Sequence, residues 1–258
     1  MARVFALANQ KGGVGKTTTC INLAAAFAAI GQKVLLIDLD PQGNATMGSG
    51  VDKSTVASNM NDVLLQNIAL EAAIIKDSTC GYHVLAGNDD LTAAEVQLLE
   101  TVHREKRLYL LLESVLDHYD YIFIDCPPSL NMLTLNALVA ADGVIIPMQC
   151  EYFALEGLSA LVKTINSVRR SANPRLQIEG IVRTMYDPRN RLSQDVAAQL
   201  TEHFSRKLYQ TIIPRNVRLA EAPSHGMSIL MYDKNSRGAE SYQALAKEIL
   251  KSHAVTTA

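Results

Sequence analysis

Cysteine is scarce: Cys20, Cys80, Cys126 and Cys150 are the four in 258 residues, and no two form a C-x-x-C pair. That spacing argues against a zinc site or a disulfide framework and fits the reduced thiols of a cytosolic protein. No apolar run approaches the ~20 residues of a membrane span, and no signal-peptide pattern precedes the first strand-like run. Basic charge is not in surplus either. The net charge is −2, so the chain as a whole does not read as a nucleic-acid binder. Five Phe and nine Tyr show no pattern of a single-strand stacking surface. Repeats, low-complexity tracts and linkers are missing, which predicts one domain over 1–258. A chain this long needs no disulfide or metal to stabilise its core.

What is present begins at the N-terminus. Strand-like Val4–Ala8 leads into Asn9-Gln10-Lys11-Gly12-Gly13-Val14-Gly15-Lys16-Thr17-Thr18, and helix-like Thr18–Ala29 follows. Strand, Gly-rich turn, Lys-Thr and helix is the order of a phosphate-binding loop. Gly12, Gly13 and Gly15 let backbone N–H groups approach a polyphosphate closely. Lys16 is spaced to reach the β- and γ-phosphates, and the Thr17 hydroxyl to bind Mg²⁺. The strict G-x-x-x-x-G-K-[ST] pattern requires glycine where Gln10 stands, and a second lysine, Lys11, precedes the glycine pair.

Further strand-like runs are Lys33–Asp38, His83–Ala86, Tyr121–Asp125, Gly143–Pro147, Ile178–Thr184 and Leu208–Ile213. Helical patterns alternate with them at Leu91–Glu100, Lys106–His118, Leu130–Ala140, Ala154–Arg170, Ser193–Arg206 and Ala239–Ser252. Several strands are almost wholly apolar, as strands covered on both faces are. The alternation predicts an α/β fold, a doubly wound and mostly parallel sheet with helices on both faces. Gly48–Gly81 reads as short helices inserted between the second and third strands. Asp38 and Asp40 share an i, i+2 spacing at one strand end, so one can touch a metal shell while the other orients water. Asp125 ends another apolar strand, the usual place of a Mg²⁺-organising acid.

These residues identify a resemblance to the deviant Walker A ATPases, the MinD/ParA class of P-loop NTPases, with the ParA/Soj partition branch the most similar. It rests on Lys11–Thr18, Asp38–Asn44, Ile124–Leu130, Gln149–Leu158, Thr184–Asp187, Ile213–Leu219, Glu221–Gly226 and Ser236–Glu240, which covers nearly the whole chain. The resemblance implies a Mg²⁺-dependent ATPase that forms ADP and phosphate and works as an ATP-sandwich homodimer. It implies that Lys11 reaches the phosphates of the other subunit, that Gly12 lies at the dimer contact, and that Asp40 positions the catalytic water. Asp125 then holds Mg²⁺ with Thr17, through water, and Pro214 and Asn216 match the stretch that recognises adenine. It further implies a ParB-like partner that stimulates hydrolysis, and a cytoplasmic, nucleoid-associated location.

Non-specific duplex DNA binding is implied through Arg189 and Arg218, with Arg215, Lys234 and Arg237 as weaker candidates. Between Arg183 and Arg237 nine Lys/Arg outnumber five Asp/Glu, a basic stretch in an otherwise acidic chain. Arg183 departs from the family pattern, which has an apolar residue there, and is expected to alter the nucleotide or dimer surface. No helix-turn-helix extension is seen, so operator reading is not implied. The alternative is another cargo-positioning ATPase or a membrane-cycling ATPase of MinD type, and the latter needs a C-terminal membrane helix. The stripe Tyr242, Leu245, Ala246, Ile249 and Leu250, before the tail 254–258, reads instead as core packing. An iron-protein-like electron carrier needs bridging cysteines, for which no motif is present.

Overall fold

The computed structural model describes residues 1–65 and 67–256; Thr257 and Ala258 of the tail and Gln66 of the inserted segment lie outside the described residues. Eight strands form one sheet: β1 Arg3–Leu7, β2 Val34–Asp38, β3 Ile74–Ile75, β4 His83–Leu85, β5 Tyr121–Asp125, β6 Gly143–Gln149, β7 Gln177–Tyr186 and β8 Leu208–Pro214. Their order is β3-β4-β2-β5-β1-β6-β7-β8. Every pairing is parallel except β3 with β4. The two-residue antiparallel edge β3 falls inside the stretch that sequence reads as helices only. Two isoleucines are too short a run for a period-2 signal to register.

The helices in chain order are α1 Lys16–Ala29, α2 Asn44–Gly48, α3 Met60–Leu64, α4 Leu70–Ala73, α5 Leu91–Leu98, α6 Arg107–Leu112, α7 Met132–Ala140, α8 Ala154–Ser171, α9 Arg191–Phe204, α10 Val217–Glu221, α11 Ile229–Tyr232 and α12 Arg237–Thr256. The helix expected over Lys106–His118 is shorter. A 3-10 turn at Arg104–Lys106 precedes α6, and turns follow it. Helix α12 starts at Arg237, before Gly238; a Cβ on Gly238 would come within 2.7 Å of Leu219, so this glycine lets α12 pack against α10.

Side-chain alternation along the central strands divides the core between the two faces. Val4 and Ala6 of β1 and Ile122 and Ile124 of β5 face one cluster, with α5, α7, α8 and α9. Phe5, Leu7 and Phe123 face the other, with α1 and α12. The apolar stripe of α12 belongs to this second cluster: Tyr242, Leu245, Ala246 and Ile249 are buried and Leu250 packs against them. The Tyr242 hydroxyl also meets Thr19 of α1 at 3.1 Å. The stripe is therefore core packing, as its sequence suggests.

Because β1 lies between β5 and β6, chain connections leave β1 and its neighbours in opposite directions. The cleft beyond their carboxyl ends is where such sheets bind ligands. Leu7, Asp38 and Asp125 come side by side there through the register of β1, β2 and β5.

Candidate nucleotide site

The loop from Asn9 to Gly15 leaves β1 at that cleft. Gly13 (φ 73°) and Gly15 (φ 85°) both take the left-handed conformation that glycine tolerates best. Gly15 is the N-cap of α1, and no side chain caps the helix. The first N–H groups of α1 are thus left for an anion at the positive end of the helix dipole. Lys16 is buried within this loop, its Nζ 3.4 Å from the Lys11 carbonyl oxygen. Burial pulls its pKa down, while the nearby charges of Asp125, Cys126 and Asp40 oppose that fall.

Thr17 and Asp125 meet directly, the Thr17 hydroxyl donating to Asp125 Oδ2 at 2.7 Å. Asp125 is fully buried, and its Oδ1 has no hydrogen-bond partner among the described residues. Burial first, then the charge of Asp38, raises its pKa far above the ordinary carboxylate value. A buried carboxylate oxygen without a donor, beside a hydroxyl and other acids, fits a cation that the protein itself does not supply. Among the described residues no group of three or more His, Cys, Asp or Glu forms a complete metal cage. The pair suits Mg²⁺, which takes one or two protein oxygens and completes its shell with phosphate and water.

The two acids after β2 separate in role. Asp38 is fully buried and saturated: Thr46 N (2.8 Å) and Oγ1 (2.7 Å) donate to Oδ2, and Asp40 N (3.1 Å) donates to Oδ1. Burial still pushes its pKa up to about 6, despite those bonds. Asp38 thus clamps the turn and the start of α2, and β2 ends there rather than continuing to Asp40. The two carboxylates consequently do not share a strand face. Asp40 is the freer one; its Oδ1 accepts from Gln42 N at 3.0 Å, and its charge acts on both Lys16 and Asp125.

Lys11 goes elsewhere. Its ammonium pairs with Glu151, on the loop between β6 and α8, and not with the hollow that Lys16 fills. Gly12 is exposed, and a Cβ there would meet nothing within 4 Å. Its lack of a side chain therefore serves no packing within this chain.

Contacts that sequence reasoning did not find also shape the loop. Thr184 Oγ1 donates to Val14 O at 2.7 Å, tying β7 to the loop. Next to it Met185 sits at φ 47°, where the β7–β8 register shifts. A non-glycine residue in that region is strained. Asn9 Nδ2 donates to Pro147 O at 2.8 Å, and Lys11 N donates to Asn9 Oδ1 at 3.0 Å. Only the tertiary structure brings these segments together.

Arg183 is tied to the β7–β8 ladder. Its Nη2 donates to Tyr209 O (3.0 Å) and Gln210 O (3.3 Å), bridging the irregular part of the β7–β8 ladder. Arg183 thus has a structural role in holding β7 to β8. Pro214 ends β8 opposite Tyr186, and Asn216 caps α10 by accepting from Leu219 N at 3.3 Å. That cap uses Asn216 Oδ1 and leaves its amide NH₂ for other partners.

The five basic residues are exposed and lie in the loops and helices that follow β7 and β8 in the chain. Arg189 forks onto Asp187 with bonds of 2.9 and 2.8 Å, and the charge of Arg215 also acts on Asp187. Arg218 bonds Glu221 at 2.9 Å and lies 3.7 Å from Asp233, the neighbour of Lys234. Arg237, at the start of α12, is exposed like the others. Arg189 and Arg218 therefore enter any contact with carboxylates already beside them. All four cysteines are buried and free, and His225 stacks on Tyr232 at 5.0 Å.

Residues 2–178 match the family model described as an AAA domain. The chain is 50% identical over 249 residues to the sporulation initiation inhibitor protein Soj of Bacillus subtilis, covering 96% of this chain and 98% of that protein. It is also 50% identical over 250 residues to the chromosome partitioning protein ParA of Caulobacter vibrioides, covering 96% and 94%. Among solved structures it is similar to cobyrinic acid a,c-diamide synthase from Mycobacterium smegmatis with bound ATP analogue and magnesium. That match has 37% identity, a TM-score of 0.85 and coverage of 97% and 95%. With the loop, Lys11 and the Thr17–Asp125 pair in place, this chain belongs to the ParA/Soj family of partitioning ATPases within the deviant Walker A P-loop class.

Proposed function

We propose that residues 1–258 act as one ATPase domain that partitions DNA by cycling between an ATP-bound sandwich dimer and an ADP-bound form. The observation that carries this reading is Lys11, a second loop lysine whose ammonium sits outside its own phosphate hollow, next to exposed Gly12. A cation on the rim does little for its own nucleotide but is available to a second copy's. Delivered in trans it plays the part of an arginine finger, whose contribution is on the order of 10³–10⁵ in rate.

In each subunit Lys16 and the uncapped start of α1 hold the phosphates. Thr17 and, through water, Asp125 would hold Mg²⁺, which would supply charge neutralisation for the phosphates. Asp40 orients the attacking water, and Pro214 with the Asn216 amide frames the base. Lys11 of the second copy completes the site, so hydrolysis waits on assembly. Glycine at position 12 leaves room for that approach. Gly12→Val is expected to keep the monomer fold and nucleotide binding while preventing dimerisation, measured by sedimentation with a slowly hydrolysed ATP analogue. A Gly12→Val dimer of wild-type affinity would remove Gly12 from the contact.

The dimer is the form that binds duplex DNA, by doubling the phosphate contacts of Arg189, Arg218, Arg215, Lys234 and Arg237. A ParB-like partner then stimulates hydrolysis and release, at the nucleoid in the cytoplasm. The test is duplex DNA binding with ATP, ADP and no nucleotide: binding with ATP alone is expected, and equal binding in all three refutes the cycle. In the same assay Arg218→Ala is expected to lower DNA affinity several-fold and to reduce the salt slope by about 2, one contact from each copy, with dimerisation intact. Unchanged affinity at low salt would remove Arg218 from the footprint. A MinD-like membrane cycle finds less support, because the apolar stripe of α12 is already spent on the core. No helix among the described residues is long and apolar enough to cross a membrane.

A further inference from the structure

We propose that Glu151 is a positioning residue that keeps Lys11 within its own subunit until a triphosphate-loaded second copy competes for it. This rests on the reading that Lys11 acts across a sandwich dimer. Lys11 Nζ is ion-paired with Glu151 although 140 positions separate them in the chain. Both backbones are held to the same strand end. Asn9 fastens the start of the phosphate loop to Pro147 of β6 and also receives Lys11 N. Glu151 sits in a tight turn beyond β6, its N donating to Gln149 O at 2.9 Å and its carbonyl accepting from Ala154 N at 3.0 Å. The pair is therefore set by the fold rather than by a chance meeting of loose loops.

The pair is also built to be exchanged. Its side chains are 42% and 43% exposed, so solvent screens it and a more highly charged anion can displace it. A triphosphate offers that charge, and a diphosphate offers less. Beside Glu151, Tyr152 and Phe153 are 74% and 68% exposed and stack edge-to-face at 4.9 Å. A second copy close enough to take Lys11 covers this apolar surface as it does so. Assembly thus trades the Lys11–Glu151 contact for Lys11 on the other subunit's phosphates, and it is biased against forming before ATP is loaded.

Glu151→Gln keeps the shape and removes the charge. With Mg²⁺ and a slowly hydrolysed ATP analogue, sedimentation is expected to give a dimer Kd about two- to thirtyfold tighter than wild type, since each of the two subunits gives up one exposed ion pair on assembly. Without nucleotide, the Lys11 amine of the variant is expected to acylate faster than that of wild type in mass-spectrometric footprinting, at equal thermal stability. A variant dimer of equal or weaker affinity, or equal Lys11 acylation, overturns the proposal. A wild type that stays monomeric with the analogue overturns the sandwich reading itself, and the role of Glu151 with it.

Discussion

Lys16→Ala is expected to weaken ATP binding by about 30-fold or more while leaving the fold intact. Lys16 is buried in the loop, in the field of Asp125 and Asp40, with the buried Asp38 beside them. A polyphosphate brought to that hollow meets those carboxylates. Without the ammonium, only backbone N–H groups and the helix dipole oppose the repulsion. Removing one partner of a buried charge pair costs roughly 2–5 kcal/mol, which is a loss of about 30- to several-thousand-fold in Kd. The fold has little reason to fail, because Lys16 opens α1 and alanine is the best helix former. Isothermal titration with ATP and Mg²⁺, beside a thermal melt, checks both halves. Tight ATP binding by the variant would sink the phosphate-loop assignment. Lys16→Arg should rescue only poorly, since a planar fork does not replace a compact ammonium in a closed hollow.

The parts legible in sequence are those whose physics is local. Gly13, Gly15, Lys16 and Thr17 lie within one turn of chain, so spacing alone fixes their relation. The central strands were legible because both faces are covered and their runs are almost wholly apolar. Where partners lie far apart, sequence fell short. Asp38 and Asp40 look equivalent on paper; only the Thr46 contacts distinguish a structural clamp from a freer carboxylate. Arg183 reads as a charge at a strand end, and nothing local says that its partners are the Tyr209 and Gln210 carbonyls. The Lys11–Glu151 pair and the Thr184–Val14 tie likewise need β6 beside β1 and β7 one strand further out. The short β3 carries too few residues for any periodicity.

Asp40→Ala is expected to leave ATP binding intact and to stop the cycle after it. Asp40 holds its turn mostly through backbone: its N donates to Asp38 Oδ1, and its carbonyl accepts from Gly43 N at 2.8 Å. Both bonds survive truncation, and only the side-chain bond from Gln42 N is lost. Truncation also removes a negative charge near Lys16 and Asp125, which favours an incoming polyphosphate. Affinity should therefore hold or rise, whereas hydrolysis loses the carboxylate proposed to orient water. A positioned acid–base group of this kind contributes on the order of 10²–10⁴ in rate, so ADP formation should fall at least about 100-fold. With turnover blocked and Lys11 unaltered, the proposed dimer and its DNA complex should persist through dilution that releases the wild type. Asp40→Asn separates the two components of the effect. It retains an acceptor for Gln42 N but not the charge, so it should be as slow as the alanine variant if charge orients the water. Turnover within about twofold of wild type, well short of the 10²-fold floor, would remove Asp40 from catalysis.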